Sequence, residues 1–191
     1  LSSRSELAGR ASWLIRWAPV AAAGGAAGAV LLESTPSGVF IRVVPYLVLI
    51  GSVAIAAQPT LANHLGGRLG GRSELTLPVG LGAVGLYNGY FGAGSGIMFL
   101  AVTLLTVEIQ WARANALKNM LVGAASIVAA MTLALFARVE WLAVAPLAAG
   151  MFAGSLVGPR IARRLSGNGL RWIVALMGIG FAIELFVNPT A

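Results

Sequence analysis

Long apolar runs broken by short polar or basic junctions dominate the chain, and each run is long enough to be read as one helix. Trp13–Leu32, Val39–Ala57, Ala114–Ala137, Trp141–Gly158 and Leu170–Val187 are five such runs. Each approaches the roughly 20 residues that a helix needs to cross a hydrocarbon core about 30 Å thick. Glu33–Gly38 and Arg138-Val139-Glu140 form turns, Gln58-Pro59 and Asn188-Pro189 close two of the runs, and Thr60–Glu74 forms a polar linker. His64, the single histidine, falls in that linker as a solvated residue rather than a ligand.

One segment departs from this pattern. Leu75–Val107 is apolar at both ends but carries five glycines across Gly85–Gly96, together with Tyr87, Asn88, Tyr90 and Ser95. Glycine weakens helices and accepts positive φ, so the spacing predicts a helix, a break and a second helix. The two halves, of roughly 15 and 11 residues, would reach only about 22 and 16 Å, too short for two crossings. Unpaired backbone at membrane depth is tolerated only inside protein or beside a cavity, so the break is also the expected binding site.

Charge decides how this segment is threaded. If it crosses once, the 13 Lys and Arg divide almost evenly between the two faces. If it enters and leaves on one face, all but Arg42 and Arg138 fall on that face. The positive-inside rule selects the second arrangement, a hairpin re-entering from the cytoplasm. Trp13, Trp17, Trp111, Trp141 and Trp172 lie at span ends, as an aromatic belt requires. The expected fold is therefore an all-α integral membrane protein with five transmembrane helices plus a Gly-rich broken re-entrant hairpin.

Composition narrows the class further. Of the 191 residues, 58% are hydrophobic and 10% charged, far below the roughly 25% charged share of a soluble domain. The net charge of +7 follows the span junctions, so it reads as a topology signal and not as a nucleic-acid surface. No cysteine is present, and no paired-His, Ser/His or Asp/Asp constellation lies within the spans, so neither an enzyme, a metal site nor a cofactor is expected. Arg4, Arg10 and Arg16 ahead of an Ala-rich run resemble a signal anchor, read here as a retained span.

A weak internal repeat supports the topology. Arg10-Ala11-Ser12-Trp13, Gly24-x-x-x-Gly28, Arg42 and Pro59-Thr60 recur in order as Arg138-Val139-Glu140-Trp141, Gly150-x-x-x-Gly154, Arg171 and Pro189-Thr190. The copies start on opposite faces and are therefore inverted, the architecture of secondary transporters. On this reading residues 1–191 form one membrane domain, with 1–75 the end of a first repeat and 76–191 a second. A counterpart of residues 75–137 is expected ahead of Leu1. Half of the site is then supplied by that missing first-repeat segment, or the chain assembles as a homo-oligomer.

In such a hairpin the second half-helix begins near mid-membrane. The amides around Gly92, Gly94, Ser95, Gly96 and Ile97 lack carbonyl partners there, and the helix dipole adds positive character. A small anion suits the place, with Ser95, Asn88 and Tyr87 as further hydrogen-bonding groups. Close helix packing is the competing explanation for the glycines. Asn115 and Asn119, four apart, share a helix face at the start of the next span. Lys118 lies a little over one turn inside that span, where it serves either as a counter-charge or as a lysine snorkelling to the interface. The sequence leaves both roles open.

At these residues the chain resembles the sulfite exporter TauE/SafE family, also called the toluene sulfonate uptake permease family. The resemblance rests on Gly85-x-Tyr87-x-Gly89-x-Phe91-Gly92-Ala93-Gly94-x-Gly96, on Arg113-Ala114-Asn115-Ala116-x-Lys118-Asn119 and on Gly158-Pro159-Arg160-Ile161-Ala162. It covers residues 76–187 well and the amino-terminal part loosely. It implies a multi-pass carrier of the bacterial or archaeal cytoplasmic (inner) membrane that moves sulfite or organosulfonates, usually built of two related halves. A carrier or channel for other small anions such as carboxylates, and a non-transporting membrane scaffold subunit, are the alternatives. The expected partners are a small anionic substrate and the lipid bilayer.

Overall fold

The computed structural model describes residues 11–65, 76–107, 110–162 and 167–187, and these form seven α-helices. They are α1 (Ala11–Ser34), α2 (Ser37–Leu65), α3 (Thr76–Tyr90), α4 (Ser95–Thr106), α5 (Trp111–Phe136), α6 (Trp141–Ala162) and α7 (Gly167–Val187). Four stretches are long and apolar enough to cross a membrane: Ala11–Ser34, Ser37–Ala57, Ala112–Phe136 and Trp141–Gly158. The apolar part of α7, Trp172–Val187, is shorter than these. Arg4, Arg10 and most of the linker lie outside the described residues.

One boundary differs from the sequence expectation. Gln58-Pro59 closes the apolar span, which ends at Ala57, but not the helix, since α2 continues to Leu65 and takes in His64. A proline removes one amide donor and crowds the carbonyl four residues earlier, but apolar helices absorb that loss by local adjustment. Pro19 inside α1 is a second case.

The centre of the fold is α1, and glycine explains its neighbours. A Cβ on Gly24 would collide with backbone of Gly82, Gly85 and Leu86, and one on Gly28 with backbone of Leu86, Gly89 and Tyr90. Reciprocally, Gly85 faces the Ala21 carbonyl and Gly89 the Gly25 carbonyl, so α1 and α3 meet backbone to backbone. Small-xxx-small spacing on both helices allows this approach, and van der Waals contact then substitutes for the hydrophobic effect that lipid does not supply. The other side of Gly25 meets Ala125 of α5. Residue numbers rise together along α1, α3 and α5, so the three helices run parallel.

Helix α4 runs the opposite way. Val102 lies over Gly80, and Leu100 and Leu104 pack on Ala114 at the start of α5. The chain therefore goes up α3, returns along α4, and starts α5 from the end of the bundle where α3 began. Buried Ala21, Leu81, Phe99, Leu121 and Ala125 form the core of this unit, flanked by Trp13, Trp17 and Val102.

The second group pairs α2 with α7, and α2 also touches α4. Tyr46 stacks edge-on against Phe186 with ring centroids 4.9 Å apart, and Gly178 admits the Ser52 side chain, so the pair is antiparallel. Helix α6 stands apart: its 18-residue apolar window has no buried position, and Leu142, Met151 and Phe152 are 92%, 71% and 68% exposed. Apolar exposure on this scale fits contact with lipid or with further membrane helices, and not with water.

Candidate functional site

The break between α3 and α4 is confined to Phe91–Gly94. Gly92 and Gly94 take φ of 82° and 76°, the left-handed region in which an L side chain strains the backbone. Phe91 and Gly92 donate their amides to the Tyr87 carbonyl at 2.9 and 3.1 Å, which closes α3. Ser95 donates its amide to Gly92 and Ile97 its amide to Gly94, which opens α4. The five glycines thus divide by task. Gly85 and Gly89 allow the close approach to α1, Gly92 and Gly94 turn the chain, and Gly96 has nothing within 4 Å of an added Cβ.

The break is held in place by α2 and by Tyr87. Gly94 lies against Gly51, where a Cβ would stand 2.9 Å from the Gly51 Cα. The Tyr87 hydroxyl donates to the Ala93 carbonyl at 2.8 Å, with the Leu47 carbonyl also in reach at 3.1 Å. The phenol of this α3 residue therefore reaches both the turn and α2. Its role in this structure is to fix the loop.

Polar side chains converge beside the turn. The Ser95 hydroxyl, on a residue only 3% exposed, donates to Asn88 Oδ1 at 2.7 Å. Asn88 Nδ2 donates to the Ser126 hydroxyl of α5 at 3.1 Å. This chain orients the Asn88 amide and leaves two donors unspent, the second Nδ2 proton and the Ser126 hydroxyl proton. The amides of Ala93, Gly94 and Gly96 have no hydrogen-bond partner among the described residues. Free amides at the first turn of α4, next to an unobstructed Gly96, give this end of the helix the donor character that favours anions.

Asn115, Lys118 and Asn119 stand elsewhere along α5. Asn115, Asn119 and Ser126 fall on one helix face, since intervals of four and seven residues return close to the same angle. Asn115 and Asn119 are exposed and Lys118 is half-buried. At 1.5 Å per residue, Lys118 lies about 12 Å and Asn115 about 16 Å from Ser126 along the helix. They stand between the start of α5 and the level of Ser126, and no hydrogen bond among the described residues joins them to the turn. Ser126 went unnoticed in the sequence because a lone hydroxyl in an Ala-rich run gives no signal of its own. Only its register with Asn115 and Asn119 marks it.

A separate cavity of about 280 Å³ lies between the carboxy-terminal ends of α1 and α5, lined by Ala29, Val30, Glu33, Thr132 and Phe136 among others. It is almost wholly apolar and does not include any residue of the break.

Comparison with known proteins gives three findings. The chain is 25% identical over 179 residues to a probable membrane transporter protein, ORF9, of a Sinorhizobium species, a match that takes in 90% of this chain. The chain spans 65% of that relative's length. No solved structure matches. The description "Sulfite exporter TauE/SafE" matches residues 1–185, nearly the whole chain. An all-helical membrane protein with a glycine-broken hairpin at its centre, the chain belongs to the sulfite exporter TauE/SafE family.

Proposed function

We propose that the full-length protein is a secondary transporter of the cytoplasmic membrane that exports small sulfur-containing anions, sulfite or organosulfonates. The observation that carries this reading is the group of unpartnered amides at Ala93, Gly94 and Gly96, set beside the Ser95–Asn88–Ser126 chain at the turn. Pyramidal or tetrahedral oxyanions present several acceptors to such a cluster and need no metal or covalent chemistry. The hairpin re-enters from the cytoplasm alongside five crossing helices. The parallel run of α1, α3 and α5 supports that threading, because it brings both ends of the hairpin to one end of the bundle.

The substrate approaches along the Asn115/Asn119/Ser126 face. Lys118 flanks this route and offsets the anion's charge before it reaches the amides. Alternating access then arises as one repeat rocks against the other around the fixed site. Gly92 through Ile97, Asn88, Tyr87 and the Asn115/Lys118/Asn119 helix start act together, the first group binding, Tyr87 fixing the turn and the last group guiding.

Transport is tested with purified full-length protein in proteoliposomes loaded with sulfite, followed by efflux with acetate and chloride as competitors. Efflux that sulfite analogues inhibit and acetate does not, and that Lys118→Met slows at least tenfold, supports the reading. Equal competition by acetate points to a carboxylate carrier, and no flux in folded protein points to a scaffold subunit.

A further inference from the structure

Helices α1 and α5 touch at Gly25 and Ala125 and then part. A Cβ on Gly25 would collide with the Ala125 backbone, yet further along the cavity of about 280 Å³ opens between the two carboxy-terminal turns. Ala29 and Val30 form one wall, and Thr132 and Phe136 the other. At 1.5 Å per residue, Glu33 lies about 12 Å beyond Gly25. The cavity therefore sits where two of the apolar spans end, at Ser34 and Phe136. The hydroxyls on its wall are spent on their own helices: Ser34 donates to the Val30 carbonyl at 2.7 Å and Thr132 to the Val128 carbonyl at 2.8 Å. What the wall presents is hydrocarbon.

The mouth of the cavity has a different chemistry. Glu33 lies on it, exposed and without an ion pair among the described residues. Neither α1 nor α5 carries a basic residue in its last turn. The Ala134, Leu135 and Phe136 carbonyls receive no backbone donor among the described residues, and the negative ends of two parallel helix dipoles face the same way. Arg138 follows Ala137, which lines the cavity, and it too is exposed and without an ion pair among the described residues. An apolar slot at a span end is thus rimmed by a carboxylate, open carbonyls and one guanidinium.

We propose that this slot binds a zwitterionic phospholipid with a primary ammonium head group. One acyl chain lies in the cavity between Val30 and Phe136, the ammonium meets Glu33 and the open α5 carbonyls, and the phosphate meets Arg138. The chain itself gains little by entering, because bilayer tails are as apolar as the wall. The head group therefore decides which lipid stays. A primary ammonium brings three N–H donors to the carboxylate and carbonyls, as a lysine head does. A trimethylated ammonium brings none, and a glycerol head brings no cation for Glu33. The cavity shares no residue with the break, so the inference is independent of the transported substrate.

Photolabelling in lipid nanodiscs tests it on the full-length protein. Phospholipids with identical diazirine-bearing tails and ethanolamine, choline or glycerol head groups are added singly, irradiated, and their adducts mapped to residues by mass spectrometry. The expected result is labelling at Val30 and Phe136 that is about threefold stronger with ethanolamine than with choline, the effect of one exposed ion pair. Glu33→Gln should make the ethanolamine and choline lipids equal there, with an unchanged melting temperature. Val30→Trp fills the slot from a position that is already 51% exposed, and should remove the Phe136 adduct in folded protein. Equal labelling by all three lipids in the parent, or a preference that survives Glu33→Gln, overturns the proposal. So does an absence of label at both residues, which would mean that protein and not lipid fills the slot.

Discussion

Two alanine substitutions only two residues apart should have opposite effects on stability. In Gly94→Ala the new side chain is placed on a backbone at φ 76°, ψ −5°. For an L residue the left-handed region costs roughly 1–2 kcal/mol. The added Cβ also stands 2.9 Å from the Gly51 Cα and 3.1 Å from the Gly51 carbonyl oxygen, backbone atoms that cannot swing aside. Overpacking of that kind costs about 1–3 kcal/mol. The sum is about 3 kcal/mol, more than a hundredfold in the unfolding equilibrium. In Gly96→Ala the same methyl enters open space on a helical backbone. Alanine there gains about 0.4–1 kcal/mol by restricting the unfolded chain and favouring helix. Denaturant unfolding of the full-length protein in detergent, followed by tryptophan fluorescence, measures both. The two variants should differ by about 4 kcal/mol, the sum of the two effects. A difference under about 0.5 kcal/mol would refute the strained turn against Gly51, since that is within the ordinary spread of neutral substitutions.

Other substitutions separate the remaining roles. Gly89→Ala pushes α3 off the Gly25 carbonyl of α1 and should destabilise by about 1–3 kcal/mol in the same assay. Tyr87→Phe removes the tie from the turn to Ala93 and Leu47 and should cost about 1 kcal/mol, with anion binding weakened but retained. Lys118→Met should leave stability within about 0.5 kcal/mol of the parent while slowing efflux, and its rate should lose most of its dependence on ionic strength. Asn88→Leu strands the buried Ser95 hydroxyl and should abolish binding at a stability cost of about 1–3 kcal/mol.

Much of this was legible in the sequence because the bilayer leaves few options. Apolar length placed four of the five expected spans, while the fifth, Leu170–Val187, falls on α7, whose apolar part is shorter. The expected hairpin falls on the antiparallel helices α3 and α4. Glycine density located the break to within a few residues. It did not assign each glycine its task, because Gly85, Gly89, Gly92 and Gly94 are identical until the path of α1 and α2 is known. Gly51 was invisible for the same reason: a lone glycine in an apolar run carries no mark of the turn that rests on it. The apolar span ended at Ala57 as read, but the helix runs on to Leu65, because a proline removes only one amide donor and a helix can continue past it. The pairing of Asn88 with Ser126 depends on the parallel register of α3 and α5, which no local pattern encodes.

The central claim, that the amides at the start of α4 hold a small oxyanion, is tested most directly by ligand-dependent melting of the full-length protein in detergent. The panel is sulfite, sulfate, thiosulfate, a sulfonate, acetate and chloride at matched ionic strength. A ligand at a hundred times its dissociation constant stabilises the folded state by about 2.7 kcal/mol, a readily measured shift. Sulfur oxyanions should raise the melting temperature, acetate and chloride should not, and Gly96→Ala should abolish the shift while melting no lower than the parent. A shift that survives Gly96→Ala unchanged, or no shift with any anion in folded protein, would contradict the claim.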